Sequence, residues 1–312
     1  MIHVHSLEGV TLDRSSYVTI GAFDGVHLGH QRLIGEMARA AHAAGCAAVV
    51  VTFYPHPSVV LRGRRPSFYI NSPDEKAELL GALGVDWVVT HPFTLEISKI
   101  TAADFVDRLL THLKMVELWT GEDFALGHNR EGNVPYLRGQ GEARGFRVRV
   151  VEPRALDTAI ISSSGVRAAL QSGDVALAAK FLGRPFSVSG RVVAGAKRGR
   201  VIGIPTANLE VSEDRACPAN GIYACRARIG DETWMAASSI GVRPTFEQNG
   251  APTVEAHLLD FSGDLYDRTL TLDFVARLRP EEKFATVEAL VDQIHADIRQ
   301  TRQLLKSVIP DL

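Results

Sequence analysis

Residues 17–44 constrain this chain more than any other stretch. Tyr17-Val18-Thr19-Ile20 is an apolar, β-branched run, residues 21–30 read Gly-Ala-Phe-Asp-Gly-Val-His-Leu-Gly-His, and Gln31 to Ala44 has the spacing of a helix. The run predicts a buried parallel strand. Gly21 and Gly25 let the chain turn and let a phosphate approach the backbone, with Phe23 and Asp24 inside the turn. The helix that follows offers its unpaired first N–H groups to an anion.

The histidines sharpen this expectation. His27 and His30 are three residues apart, so a helix that begins near Val26 or His27 puts both rings on one face at its positive end. Imidazoles there can donate to phosphate oxygens as charge builds during attack on an α-phosphate. Gly29 keeps the wall between them free of side chain. A bare His-x-x-His is more often a pair of surface histidines; the preceding strand, the Phe-Asp-Gly turn and the second glycine turn the balance toward a nucleotide site.

The rest of the chain supplies the frame. It has 312 residues, 46% of them hydrophobic, which is enough for two domains with separate cores. A formal charge of −2 gives no global footprint for nucleic acid or an anionic membrane. The three cysteines form no Cys-x-x-Cys pair, as expected of free thiols in a reducing compartment. With no secretory pattern at Met1 to Val10 and no apolar run long enough to span a bilayer, the expected location is the cytoplasm.

Up to about residue 183, β-branched runs alternate with helical patterns. Strands are expected at Ala47 to Phe53, Asp86 to Thr90 and Phe146 to Val151. Helices are expected after the capping box Ser72-Pro-Asp-Glu75, ending near Gly84, and after Thr101, ending near Leu113. Such alternation implies an α/β, Rossmann-like parallel sheet with ligands beyond the C-terminal strand ends. After Gly183-Arg-Pro185 the pattern changes. Alternating runs at Phe186 to Arg191, Ile222 to Ile229, Val254 to Leu259 and Leu270 to Val275 predict a small antiparallel β-barrel, and Thr286 to Lys306 an amphipathic C-terminal helix. The expected domains are 1–183 and 186–312.

Gly21-Ala-Phe-Asp-Gly-Val-His-Leu-Gly-His-Gln31 resembles the His-x-Gly-His signature of nucleotidyltransferases, in the form carried by bacterial FAD synthetases. Three further elements of that family follow in order: Thr52-Phe-Tyr-Pro-His-Pro57, Gly121-Glu-Asp-Phe-Ala-Leu-Gly-His-Asn-Arg-Glu-Gly132 and Ile161-Ser-Ser-Ser-Gly-Val-Arg167. Asp123 and Asn129 can bind ligand or simply form turns. Hydroxyls of Ser162, Ser163 and Ser164, ahead of a helix expected near Gly165, can hold a polyphosphate that Arg167 braces. The resemblance makes this element a mobile ATP clamp. Two positions depart from the family: Ala22 replaces a frequent asparagine, and Phe124-Ala-Leu-Gly127 lacks the arginine and second phenylalanine of Phe-Arg-Phe-Gly.

Residues 195–209, Gly-Ala-Lys-Arg-Gly-Arg-Val-Ile-Gly-Ile-Pro-Thr-Ala-Asn-Leu, resemble the glycine-rich loop and Pro-Thr-Ala-Asn motif of riboflavin kinase, with Ile204 for a usual phenylalanine. Gly195, Lys197, Arg198 and Gly199 can wrap phosphate, and the oxygens of Thr206 and Asn208 suit Mg²⁺. Gly221-Ile-Tyr-Ala, Ser239 to Phe246, Val254 to Asp260 and Leu278 to Phe284 match the same kinase in order.

The whole pattern resembles the bacterial bifunctional riboflavin kinase/FMN adenylyltransferases. That resemblance implies phosphorylation of riboflavin to FMN and adenylylation of FMN to FAD, with ATP as co-substrate and Mg²⁺ as cofactor. It implies Glu255 as the general base of the kinase, Arg279 as a flavin or phosphate support, and His27, His30 and Arg167 as the stabilising groups of the transferase. An enzyme with only the kinase active, and a flavin-binding regulator without turnover, are the alternatives.

Overall fold

The computed structural model describes every residue except 64–66, 153–154, 157–158, 196–198, 200–201, 243–251 and 309–312. Two compact units emerge: Met1–Arg65 with Tyr69–Ser163, and Ser164–Leu312 with Pro66–Phe68.

The first unit is built on β1 (Ile2–Val4), β2 (Ser16–Ile20), β3 (Ala47–Tyr54), β4 (Trp87–Pro92), β5 (Met115–Gly121) and β8 (Arg147–Val151). They form one sheet in the order β1-β4-β3-β2-β5-β8, parallel at every pairing. From β2 the chain passes to β3 on one side and returns later to β5 on the other. The C-terminal end of β2 therefore lies at the topological switch point, where open parallel sheets bind ligands. All five residues of β2 are buried, as are the first six of β3, which follows from helices covering both faces.

On one face α1 (Leu28–Ala43) packs Ile34, Met37, Ala38 and Ala41 against Ala48, Val50 and Val88, joined by Ala77 and Leu80 of α3 (Pro73–Gly81). On the other, α4 (Ala102–Leu113) sets Phe105, Val106, Leu109 and Leu113 against Val18, Val49 and Leu118. Each fully buried leucine or valine contributes roughly 1.5–3 kcal/mol. The capping box at Ser72 and Glu75 forms as the spacing predicts, and Thr101 caps α4. Helices α2 (Pro57–Arg62) and α5 (Val134–Arg144) and a two-residue ladder of β6 (Ala125–Leu126) with β7 (Gly132–Asn133) complete the unit's main loops, with β9 (Ala155–Leu156) and β10 (Ala159–Ile160) paired farther on.

The second unit begins with α6 (Ser163–Ser172), whose first residue belongs to the other unit, and α7 (Val175–Leu182). Six strands then close an antiparallel barrel in the order β11 (Phe186–Val193), β12 (Ala207–Glu210), β15 (Pro252–Leu258), β14 (Glu232–Val242), β13 (Gly221–Ile229), β16 (Thr269–Arg279). Closure leaves no exposed sheet edge. Phe186, Tyr223 and Phe274 fill its centre, with ring centroids 5.4 Å apart for Tyr223 and Phe274. The C-terminal helix α8 (Val287–Val308) follows.

Candidate active sites

The turn after β2 is held in an unusual backbone path. Phe23, Gly25 and Val26 have φ of 47°, 84° and 41°. Two of these residues carry side chains that rarely tolerate the left-handed region, so the surroundings must impose the conformation. Asp24 is the first clamp. Its carboxylate, 3% exposed, accepts from the amides of Ile70 at 3.0 Å and Asn71 at 3.4 Å, and its backbone oxygen accepts from the Ser163 hydroxyl at 2.8 Å. The structure thus gives Asp24 and Ser163 a turn-holding role beside the ligand-binding role expected of them. The buried Phe23 ring packs over Gly21, where a Cβ would come within 2.9 Å of it.

His27 is the N-cap of α1, and its Nδ1 accepts from the His30 amide at 3.4 Å. An accepting Nδ1 leaves Nε2–H as the donor of that ring. The two imidazoles stack, centroids 3.5 Å apart at 20°, and Phe23 meets His30 edge-on at 5.1 Å. Burial, followed by the neighbouring His27 and Lys76, holds His30 well below the ordinary histidine range, so it is neutral at pH 7. Its Nδ1 is buried with no partner among the described residues. Gly29 sits against His27: a Cβ there would lie 3.2 Å from the ring.

Beyond Gly21 and Ala22 opens a cavity of about 600 Å³. Phe53, Phe93, Phe105 and Phe124 give it apolar walls, and the exposed Asp123 and Asn129 lie at its polar side with His56 and Arg62. A large pocket with aromatic walls and few polar groups suits a planar ring system. The loop that closes it is tied down: the His128 amide donates to Ile100 O at 2.8 Å and Glu131 accepts from the Ala102 amide at 2.7 Å. His56 caps α2, a helix that the two prolines of this motif disguise as a stiff loop.

The serine run is divided. Helix α6 starts at Ser163, two residues before the expected Gly165, so Ser163 and Ser164 belong to its first turn, with Ser162 just outside it and Ser164 exposed. Ser164 and Arg167 fall in the second unit. There the Arg167 guanidinium lies 4.1 Å above the Phe68 ring and its Nε donates to Phe68 O at 2.8 Å.

In the barrel, strand register assembles the second set. Asn208 on β12 is paired with Glu255 on β15, and Glu255 with Ser239 on β14. The Thr206 hydroxyl donates to Glu255 Oε2 at 3.4 Å. Gly195 packs directly on the Asn208 amide, where a Cβ would come within 2.3 Å of Nδ2, and a Cβ on Gly199 would lie 3.5 Å from Thr206 Oγ1. These separated motifs thus meet on one face of β12, β15 and β14, where Asn208, Glu255 and Ser239 alternate with the buried Ala207, Leu209, Val254, Ala256 and Ile240. Carboxylate, amide and hydroxyl oxygens are hard donors, a set that fits a divalent cation bound with phosphate. Lys197 and Arg198 lie outside the described residues. Arg279, expected at flavin or phosphate, has its guanidinium committed instead: it makes a bidentate pair with buried Asp297 of α8 at 2.8 and 3.0 Å, and its remaining nitrogen donates to Pro280 O at 3.1 Å. The reason is burial, which demands a counter-charge close at hand.

A parallel-sheet unit with stacked histidines at its switch point, followed by a closed barrel that carries a Thr-Asn-Glu cluster on its strands, fits an enzyme of the phosphate-transferring class. Residues 10–165 match the family model described as FAD synthetase, and residues 182–305 that of riboflavin kinase. A Pseudomonas fluorescens protein named bifunctional riboflavin kinase/FMN adenylyltransferase is 39% identical over 93% of each chain. Its namesake in Listeria monocytogenes is 37% identical over 93% of this chain and 92% of its own. A crystal structure from Streptococcus pneumoniae, described as a macrolide-efflux protein, superposes with a TM-score of 0.87 at 31% identity over 96% of this chain and 98% of its own. The chain belongs to the family of bifunctional riboflavin kinase/FMN adenylyltransferases. Among the described residues no helix is long and apolar enough to cross a membrane.

Proposed function

We propose that the chain makes FAD from riboflavin in two ATP-dependent steps, with residues 1–183 carrying the adenylyl transfer and 186–312 the kinase, in the cytoplasm. The observation that carries this is the meeting of Thr206, Asn208 and Glu255 in one unit of a chain whose other unit stacks His27 on His30 beside an aromatic-walled cavity.

In the kinase step the Glu255 carboxylate accepts the proton of the ribityl 5′-hydroxyl as that oxygen attacks the γ-phosphorus of ATP; the bond to the β-phosphate oxygen breaks and ADP leaves. Mg²⁺, held by Thr206 and Asn208 with the phosphates, would neutralise charge on the ATP oxygens. Gly195 and Gly199 admit the phosphates close to the backbone.

In the second step a phosphate oxygen of FMN attacks the α-phosphorus of ATP. The bond from that phosphorus to the bridging oxygen breaks and pyrophosphate leaves. No protein nucleophile is needed. His27 donates from Nε2 to the phosphate oxygens, His30 adds a neutral imidazole beside it, and the first amides of α1 point the same way. Asp123 and Asn129 contact ligand at the polar side of the cavity that accepts the flavin rings, and Ser162 contacts the polyphosphate.

The departure at Ala22 leaves the turn intact, because the atom used there is its carbonyl oxygen, which accepts from Thr52 and Lys76. Chromatography of products from riboflavin, ATP, Mg²⁺ and the full chain tests the proposal. FMN followed by FAD is expected; FMN alone would mean that only the kinase works, and flavin binding without ATP consumption would overturn both activities.

A further inference from the structure

Helix α3 carries a residue that neither step above employs. Lys76, at the end of its first turn, is only 6% exposed. Its Nζ donates to the Ala22 oxygen at 3.0 Å and to the Thr52 hydroxyl at 2.9 Å, while Thr52 donates to that same oxygen at 3.0 Å. Strand β3 and helix α3 therefore both grip one carbonyl inside the strained turn of Phe23, Gly25 and Val26.

A lysine in this position is expensive. Burying an ammonium costs several kcal/mol before its partners compensate, and an unbranched apolar chain of similar length would fill the space at no such cost. Burial pushes the Lys76 ammonium down to about 8, with the Asp24 carboxylate opposing the shift. Around it stand Asp24 in the turn, His30 of α1 with His27 stacked on it, His3 of β1, which itself pairs with Asp74 of α3 at 3.7 Å, and the neutral Thr52 of β3. Of these groups, Asp24 is the anion that draws on the Lys76 charge, and its own carboxylate is already bound by two backbone amides.

We propose that Lys76 is a positioning residue for adenylyl transfer: its ammonium fixes the Gly21–Gly25 turn through Ala22 and places a positive charge beneath the site of the anionic polyphosphate. The inference rests on the reading of the first unit given above. Bound polyphosphate stabilises the ammonium, so free enzyme and complex differ in where the charge is lost.

The test uses the full chain with FMN, ATP and Mg²⁺, following FAD formation against pH for wild type, Lys76→Arg and Lys76→Met, with riboflavin phosphorylation as internal control. In wild type, kcat/KM falls as pH rises past about 8, and the fall in kcat lies at higher pH. Lys76→Arg, which stays charged, loses that alkaline fall even if its larger head slows the reaction. Lys76→Met lowers kcat about 10- to 100-fold at neutral pH, as expected for a lost charged hydrogen bond, with a smaller change in the KM for FMN and no change in kinase rate. An alkaline fall in Lys76→Arg at the wild-type pH overturns the proposal, as does Lys76→Met with a wild-type kcat. If Lys76→Met fails to fold, the Lys76→Arg profile decides. Wild-type chain that forms no FAD at any pH overturns the transferase reading itself; FAD formation with an unmoved Lys76→Arg profile overturns this inference alone.

Discussion

The ring of His27 stacks on that of His30 with centroids 3.5 Å apart, and the His30 amide donates back to His27 Nδ1. Each histidine therefore helps to orient the other. His27→Ala and His30→Ala are each expected to cut FAD formation from FMN about 100- to 1,000-fold, the usual loss when an oriented donor to developing charge is removed. Riboflavin phosphorylation should be unchanged. The double variant should lose little more than either single one, since the two act as a unit; additive losses measured in a double-mutant cycle would contradict the stacked arrangement.

The low basicity of His30 has a consequence for stability. A base whose pKa is depressed by folding binds fewer protons in the native state than in the unfolded one, so acidification favours unfolding. His30 is held down by burial, and so are His3 and His91. Their contribution is complete above the ordinary value of 6.5 and is lost as pH falls below it. The thermal midpoint should drop between about pH 7.5 and pH 5, and His30→Gln should flatten that dependence. An equally steep dependence in His30→Gln would mean that the ring is protonated in the folded chain.

Much of this architecture is legible in residue order. The strand, turn and helix at 16–43, the capping box at Ser72 and the alternating barrel strands follow from periods of 2 and 3.6 and from cap residues. Strand β5 is harder to see because Glu117 interrupts its apolar run; that carboxylate is buried and paired with Arg147 at 2.9 Å, a partner thirty positions away. Helix α2 hides behind Pro55 and Pro57. The motifs that hold Thr206, Asn208 and Glu255 are legible through the resemblance, but their meeting is not: it depends on the β12–β15 register and on the hydrogen bond from Thr206 to Glu255. Lys76 looks like one more charge on a solvated helix, since nothing local announces that its head reaches Ala22.

Gly127 tests how tightly the cavity loop is held. It has φ of 77°, and a Cβ there would lie 2.5 Å from the Ala102 backbone nitrogen, an atom fixed at the start of α4. Gly127→Ala is strained both by conformation and by collision with backbone, and should destabilise the first unit by about 1–3 kcal/mol. The KM for FMN should rise as the loop shifts, with kinase parameters unaffected. A variant with wild-type unfolding and unchanged KM would show that the loop can move aside freely.

The Arg279–Asp297 pair predicts a loss of stability in the second unit. Arg279 and Asp297 side chains are 15% and 5% exposed, and Gln293 adds a further bond to the carboxylate at 3.0 Å. Asp297→Ala strands the guanidinium without its counter-charge, at a cost of about 3–5 kcal/mol. Chemical denaturation of Asp297→Ala and of Arg279→Met/Asp297→Leu distinguishes a strut from a ligand group. The double variant should recover most of the stability and retain riboflavin phosphorylation. Loss of phosphorylation in a stably folded double variant would return Arg279 to the binding site.

Glu255 separates the two activities chemically. Glu255→Gln keeps an oxygen near the Thr206 hydroxyl, which lies at 3.4 Å from the carboxylate, so the β12–β15 register should survive. An amide cannot accept the proton of the attacking hydroxyl, and FMN formation should fall by at least about 100-fold, the lower range for a lost general base. Conversion of supplied FMN to FAD should continue at the wild-type rate, because His27, His30 and their cavity belong to the first unit. Gly195→Ala offers an independent route to the same phenotype: its methyl would displace the Asn208 amide, which lies 2.3 Å from the position of that Cβ, without touching Glu255. If Glu255→Gln phosphorylates riboflavin normally while Gly195→Ala does not, the base lies elsewhere and Glu255 serves the cation; if both lose FMN and FAD formation together, the assignment of one reaction to each unit is wrong.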